Sequence, residues 1–235
     1  MTDCIIVMKI QILDKGFVEL LDSMGDDLAV TNAARVSFGK RKTELNKADK
    51  ELIKYLADNN HMSPFRHCQL QFHVKAPEFV WRQAWKHLVG IEWTSQSKFV
   101  DIPHNEISGR YVVYEDEFYI PDMFRKQSKN NKQATVNQAV DNNLACLDIY
   151  TRAVYEAYDR YKELIARGVG KEQARGVLPV SFYTQCIITM SLEAVANFVK
   201  LRDHPHAQFE IQEYARAFKK LAYGVAPISM EALGV

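Results

Sequence analysis

No stretch of this 235-residue chain approaches 18 uninterrupted apolar residues, so no membrane-spanning helix is expected. Net charge is nearly absent too, with 30 Lys and Arg against 29 Asp and Glu. That balance excludes a polyanion-binding tail and confines any anion site to a local cluster. The four cysteines (Cys4, Cys68, Cys146, Cys186) form no C-x-x-C pair, which points to reduced thiols and a cytoplasmic protein. The opening Met1-Thr2-Asp3-Cys4 carries an acid where a secretory leader carries a basic region, so no leader is expected. G-x-S-x-G, the P-loop and G-x-G-x-x-G are all missing, which leaves acyl transfer, Walker-type hydrolysis and Rossmann dinucleotide binding without support. His61, His67 and His73 lie six apart and His204 and His206 two apart; neither spacing suits zinc, and no metal is expected.

Hydrophobic residues make up 47%, enough for a real core. Residues 4–13 read as a strand, and 46–60 as a helix with Leu52, Ile53, Tyr55 and Leu56 on one face. Residues 61–65 read as a loop and the alternating 70–74 as a half-buried strand. Pro77 suits the first position of a helix over 78–88, apolar enough to be buried on two sides. The aromatic and β-branched 111–119 predicts a strand, and the polar 126–138 a mobile surface connection. A long helix over 144–165 should stop at Gly168 and Gly170. Residues 182–190 fit a strand or a buried helix. Ser191 then caps one helix, and a last helix covers 207–223. With no repeat and no linker, the pattern is α+β in a single domain over 1–235, with four or five strands and about five helices.

Several polar residues could carry chemistry. Arg82 and Lys86 share a helix face, as do Gln83 and His87. A solvated outer face explains the two cations as well as a ligand does. Within Asn105-Glu106-Ile107-Ser108-Gly109-Arg110-Tyr111, Gly109 would let backbone N–H groups approach an anion. Ser108 adds a hydroxyl, Arg110 a planar fork suited to phosphate, and Glu106 an acceptor for a sugar hydroxyl. An ordinary polar turn has the same composition. Arg175 sits in an apolar stretch and needs a partner; Arg202 ends an apolar helix, where it could simply answer the helix dipole. These groups suit an anionic, hydrogen-bonding ligand such as a nucleotide.

Taken together and in order, these segments resemble the flavin-dependent thymidylate synthase family. The match includes Ala33-Ala34-Arg35-Val36-Ser37-Phe38, Phe72-His73-Val74-Lys75-Ala76-Pro77, Arg82-Gln83 and Ser108-Gly109-Arg110-Tyr111. It continues through Phe118-Tyr119-Ile120-Pro121, Ala174-Arg175-x-Val177-Leu178-Pro179, Leu201-Arg202 and His206-Ala207-Gln208-x-Glu210-Ile211. The resemblance implies an α+β fold, a mixed or antiparallel sheet with flanking helices, assembled as a homotetramer whose active sites draw on several subunits. It implies FAD as cofactor, NADPH and methylenetetrahydrofolate as cosubstrates, and methylation of dUMP to dTMP, with no nucleic-acid or membrane partner. Arg82, Gln83, Lys86, Glu106, Ser108, Gly109, Arg110 and Arg175 then resemble nucleotide-binding positions, and Arg202 and Ser108 the catalytic ones. The resemblance implies that the arginines at 82, 110, 175 and 202 converge on one pyrimidine monophosphate. Ser37, His61, Ser63, Lys86, His87, Ser191, Asn197 and His206 resemble flavin-pocket positions.

The chain departs from that pattern in the signature. The family's R-H-R, seven residues, then Ser becomes Lys86-His87-Leu88 with 19 residues before Ser108, an insertion at about 91–104. Ser191 and Glu193 replace the family's usual Asn and Arg, and Arg66 stands where an acid is common. A glutamate facing a pyrophosphate reverses a local charge, so weakened dinucleotide binding is expected. Two other readings follow: hydroxymethylation of dUMP or dCMP, and a non-catalytic nucleotide-binding homologue.

Overall fold

The computed structural model describes residues 8–85, without the Trp85 side chain, and residues 104–235. In chain order the elements are β1 (Met8–Ile12), β2 (Gly16–Met24), α1 (Asp27–Arg35), α2 (Lys47–Asp58), α3 (Ser63–Arg66), β3 (Gln69–Pro77) and α4 (Glu78–Trp85). After these come β4 (His104–Glu106), β5 (Arg125–Gln127), β6 (Thr135–Ala139), α5 (Asn143–Ala166), α6 (Lys171–Ala174), β7 (Tyr183–Ser191), α7 (Leu192–Arg202), α8 (Phe209–Val225) and α9 (Pro227–Ala232). Short 3₁₀ turns occupy Val36–Phe38 and Arg175–Val177. The chain is α+β, with more elements than expected because several are only a turn or a few residues long.

One five-stranded sheet, ordered β1-β2-β3-β7-β4, is antiparallel throughout. β3 alternates as expected, burying Leu70, Phe72, Val74 and Ala76. It pairs along its whole length with β7, from Gln69 opposite Ser191 to Pro77 opposite Tyr183. That pairing resolves 182–190 as strand. α7 and α8 cover the sheet, and Phe72, Phe198 and Phe218 interlock edge-on at 4.7 and 5.4 Å. Burying one such ring is worth about 2–3 kcal/mol. α8 buries Ile211, Ala215, Phe218 and Leu221 along one stripe, the period an amphipathic helix requires.

Caps fix the helix starts. Asn46 and Asp49 form a capping box on α2, and Ser191 Oγ accepts the Ala194 N–H at 3.2 Å, as its sequence position predicts. Asp26 caps α1, while the buried Asp27 reaches across the chain to α9. Its carboxylate accepts the Ile228 N–H at 3.0 Å, the Ser229 N–H at 2.7 Å and the Ser229 hydroxyl at 2.6 Å.

Four expectations need correction. Pro77 ends β3 instead of opening α4; the first N–H groups of α4 reach Phe182 O and Val180 O at 2.9 and 3.0 Å. Residues 111–119 form no strand. Tyr114 and Phe118 turn inward, and the Tyr114 N–H goes to the Tyr161 hydroxyl at 3.2 Å, not to a ladder. Residues 126–138 fold into the β5–β6 hairpin, whose loop Gln127 closes through three carbonyls, Asn131, Lys132 and Ala134. The loop read over 61–65 contains the start of α3. The helix beyond Trp85 and the insertion up to residue 103 lie outside the described residues.

Candidate active site

Three separate pieces of chain bring three guanidiniums to one cleft of about 750 Å³. α4 presents Arg82. β4 carries Glu106 and leads into the turn holding Ser108 and Arg110, and the 3₁₀ turn after α6 supplies Arg175. The Ile107 N–H extends the pairing with β7 by bonding Gln185 O at 2.9 Å, and the Tyr111 N–H closes the turn on Ser108 O at 2.9 Å. The arginines face two carboxylates, Glu78 and Glu106, so an ionised cleft keeps one positive charge in excess. That arrangement suits an anion that also offers hydrogen-bonding groups.

The Arg82 Nε donates to Glu78 Oε1 at 2.8 Å while the side chain stays 64% exposed. Its guanidinium remains open to a ligand on one edge. The two serine contacts are local: Ser108 Oγ accepts from both the Arg110 N–H and Arg110 Nε at 3.3 Å. Glu106 Oε1 accepts the Thr184 hydroxyl at 2.5 Å. Burial pushes the Glu106 carboxyl above its ordinary range; the Thr184 hydrogen bond holds it back, Glu78 adds to the rise, and Arg175 and Arg82 oppose it.

Gly109 is needed, but not for the expected reason. A Cβ there would stand 2.3 Å from the Tyr114 ring and 3.1 Å from Arg175 Cδ. Its N–H is turned away from an incoming anion and donates to the Tyr114 hydroxyl at 3.1 Å. The glycine therefore permits close packing beneath Arg175.

Arg202 does not line this cleft, so the expected four-arginine grip is three arginines plus a neighbour. At the end of α7, its Nη2 donates to Gln83 O at 3.3 Å. Its Nε is buried with no partner among the described residues, and burial lowers the guanidinium's pKa. An orphaned donor in that position fits an acceptor oxygen on a ligand. Gln83 in turn donates to Gln208 Oε1 at 2.6 Å.

None of the described flavin-type positions lines the arginine cleft. Ser37 is exposed on the 3₁₀ turn, Ser63 opens α3, and His61 meets Tyr55 edge-on at 6.1 Å. Asn197 is half-buried on α7, and exposed His206 stands edge-on to His204 at 4.9 Å. The Ser37, Ser63 and Asn197 side chains have no hydrogen-bond partner among the described residues, so their donors and acceptors fit a large polar cofactor. Ser191 differs: its oxygen is committed to the helix cap. Lys86 and His87 lie outside the described residues. Three contributors escape a sequence reading to different degrees. Glu78 is traceable as the residue four before Arg82; Thr184 and Tyr114 act through long-range contacts that leave no local pattern.

A family model described as thymidylate synthase complementing protein matches residues 19–228. The chain belongs to that family. Among its relatives, a flavin-dependent thymidylate synthase from Thermus thermophilus is 42% identical over 225 residues, covering 96% of this chain and 78% of its own. The Thermosipho africanus protein of the same name is 43% identical over 227 residues, covering 96% and 93%. Among solved structures, the UMP/dUMP methylase PolB from Streptomyces cacaoi, bound with 5-Br dUMP, superposes with a TM-score of 0.79. It is 32% identical, and the match covers 95% of this chain and 96% of PolB. The family assignment agrees with the resemblance read from the motifs.

Proposed function

We propose that the chain is a flavin-dependent thymidylate synthase that methylates dUMP to dTMP, with methylenetetrahydrofolate as carbon donor and NADPH-reduced FAD. The observation that carries this reading is the convergence of Arg82, Arg110 and Arg175 on one cleft beside Glu106. The three guanidiniums hold the phosphate, Ser108 orients Arg110, and Glu106 accepts from the sugar. Arg202 offers its unpaired Nε to a uracil oxygen and stabilises charge that develops on the ring. Ser37, His61, Ser63, Asn197 and His206 would hold the flavin, with Lys86 and His87 between nucleotide and flavin. FAD, once reduced, supplies the reducing equivalents for the new methyl group.

The described flavin positions are spread over the 3₁₀ turn after α1, α3 and the loop before it, and α7 and the turn after it, which supports a site completed by neighbouring subunits. Large apolar side chains left in the open, Leu144 at 81%, Phe38 at 79% and Ile149 at 62%, support the same homotetrameric assembly. We place the whole chain in one domain and the protein in the cytoplasm; no described helix is long and apolar enough to cross a membrane.

The test is tritium release from 5-tritiated dUMP with FAD, NADPH and methylenetetrahydrofolate, alongside mass analysis of the product. A plain methyl adduct supports the reading, and a hydroxymethyl adduct refutes it. UMP belongs in the same assay, because PolB is named for both nucleotides. A protein that never takes up FAD would favour the non-catalytic alternative. Leu88 and Glu193 together motivate that alternative, and Glu193 is paired with Arg66.

A further inference from the structure

A second cavity, of about 330 Å³, shares no lining residue with the arginine cleft. Phe79, Tyr119, Phe124, Tyr150 and Phe209 give it aromatic walls. Arg125 from β5 and Glu210 from α8 are set among them, each side chain only 10% exposed. The Arg125 guanidinium lies 3.8 Å over the Phe209 ring. Its nearest approach to Glu210 Oε1 is also 3.8 Å, too long for a hydrogen bond. That oxygen instead accepts the Tyr119 hydroxyl at 3.1 Å. Among the described residues the Arg125 guanidinium has no hydrogen-bond acceptor and Glu210 Oε2 has no donor. Both side chains line the cavity, so an occupant can supply the missing acceptor and donor.

We infer that this cavity binds a planar heteroaromatic ring presenting a carbonyl oxygen beside an N–H. The Arg125 fork meets the carbonyl, and Glu210 Oε2 meets the N–H. The aromatic walls take the ring faces. The charge pair is neutral overall, so a carboxylate or phosphate drawn to Arg125 is repelled by Glu210. The volume holds one ring system and excludes a whole dinucleotide. Three sources share that edge: a nicotinamide carboxamide, a pterin lactam and a pyrimidine. Gln208 lines the cavity and also accepts the Gln83 amide at 2.6 Å, which couples an occupant to the helix carrying Arg82.

The experiment is saturation-transfer NMR on the full FAD-loaded chain with nicotinamide, 6-methylpterin, uracil and benzoate. At least one of the first three should bind, benzoate should not, and the one that binds identifies the source. Arg125→Met and Glu210→Gln should each weaken that binding tenfold or more, with dUMP affinity within twofold of wild type. Gln133→Trp, on the exposed rim, fills the cavity without touching the charge pair, and it should abolish binding even if a buried variant fails to fold. Failure of all three rings to bind, equal binding of benzoate, or binding indifferent to these substitutions overturns the inference. Loss of dUMP binding by the wild-type chain would count against the nucleotide reading alone.

Discussion

Arg66 Nε meets Glu193 Oε2 at 2.5 Å, joining α3 to the first turn of α7. By sequence, Glu193 is a reversed charge that should repel a dinucleotide. In the fold it is half of a pair whose cation comes from 127 residues earlier. Arg66→Gln should therefore expose the carboxylate and weaken FAD binding about tenfold, the equivalent of roughly 1.4 kcal/mol. Adding Glu193→Gln should restore most of it. Flavin fluorescence titration of the single and double variants checks the cycle; single and double variants of equal affinity would contradict it.

Thr184 opposes the rise that burial imposes on the Glu106 carboxyl. Its hydroxyl hydrogen bond favours the carboxylate that burial disfavours. Thr184→Val removes that support, so the Glu106 carboxyl rises further. If Glu106 must be ionised to accept from the sugar, the acid limb of the dUMP-binding profile moves to higher pH. Binding well above that limb should be little changed. Calorimetric titration of dUMP across pH, variant against wild type, reads the shift directly.

Gly109 leaves no room for a methyl group. Gly109→Ala puts a carbon 2.3 Å from the Tyr114 ring, which must move and carry Arg175 with it. dUMP affinity should fall at least tenfold, about 1.4 kcal/mol or more. Tyr114→Phe keeps the ring but strands the Gly109 N–H, at a cost of about 1–3 kcal/mol in stability. Melting temperature and dUMP titration together separate the two effects.

Asp49 predicts how the fold responds to acid. Burial alone would raise its carboxyl; hydrogen bonds from Lys42, the Asn46 N–H and Arg35 overcome that and bring it down to about 2. A carboxyl depressed in the native state stabilises above its unfolded value, and that stability is lost as pH falls toward 2. Asp49→Asn should lower stability at neutral pH by roughly 1–3 kcal/mol. Its loss of stability between pH 4 and pH 2 should be shallower than wild type, as followed by thermal melts.

What can be read in advance depends on where the physics is local. α2 announces itself through its one apolar face, and α7 through Ser191, because a cap acts on the next three residues. β3 shows its alternation because one face is core and the other is not. Residues 111–119 mislead because Tyr and Val favour strands, whereas Tyr111, Val112 and Val113 stay exposed and Tyr114 packs in a cluster around Tyr161 instead of a ladder. β2 goes unread although Val18 and Leu20 are fully core. In the site, Arg82, Arg110 and Arg175 are legible as residue types that need an anion. Thr184 and Tyr114 are not, since their roles exist only once β7 and α5 have docked. Arg202, expected in the same grip, instead braces the Gln83 carbonyl.

The Asp27 carboxylate grips the amides of residues 228 and 229, two hundred positions further along the chain. On the ribosome, that acid emerges long before its partners exist. Until α9 clears the exit tunnel, Asp27 has to stay in water, and the wall it later joins cannot close. Emergence of that helix, not synthesis of any earlier segment, therefore sets the moment when this fold can complete. A message cut short before residue 228 would yield a product that the cell's proteases recognise as open.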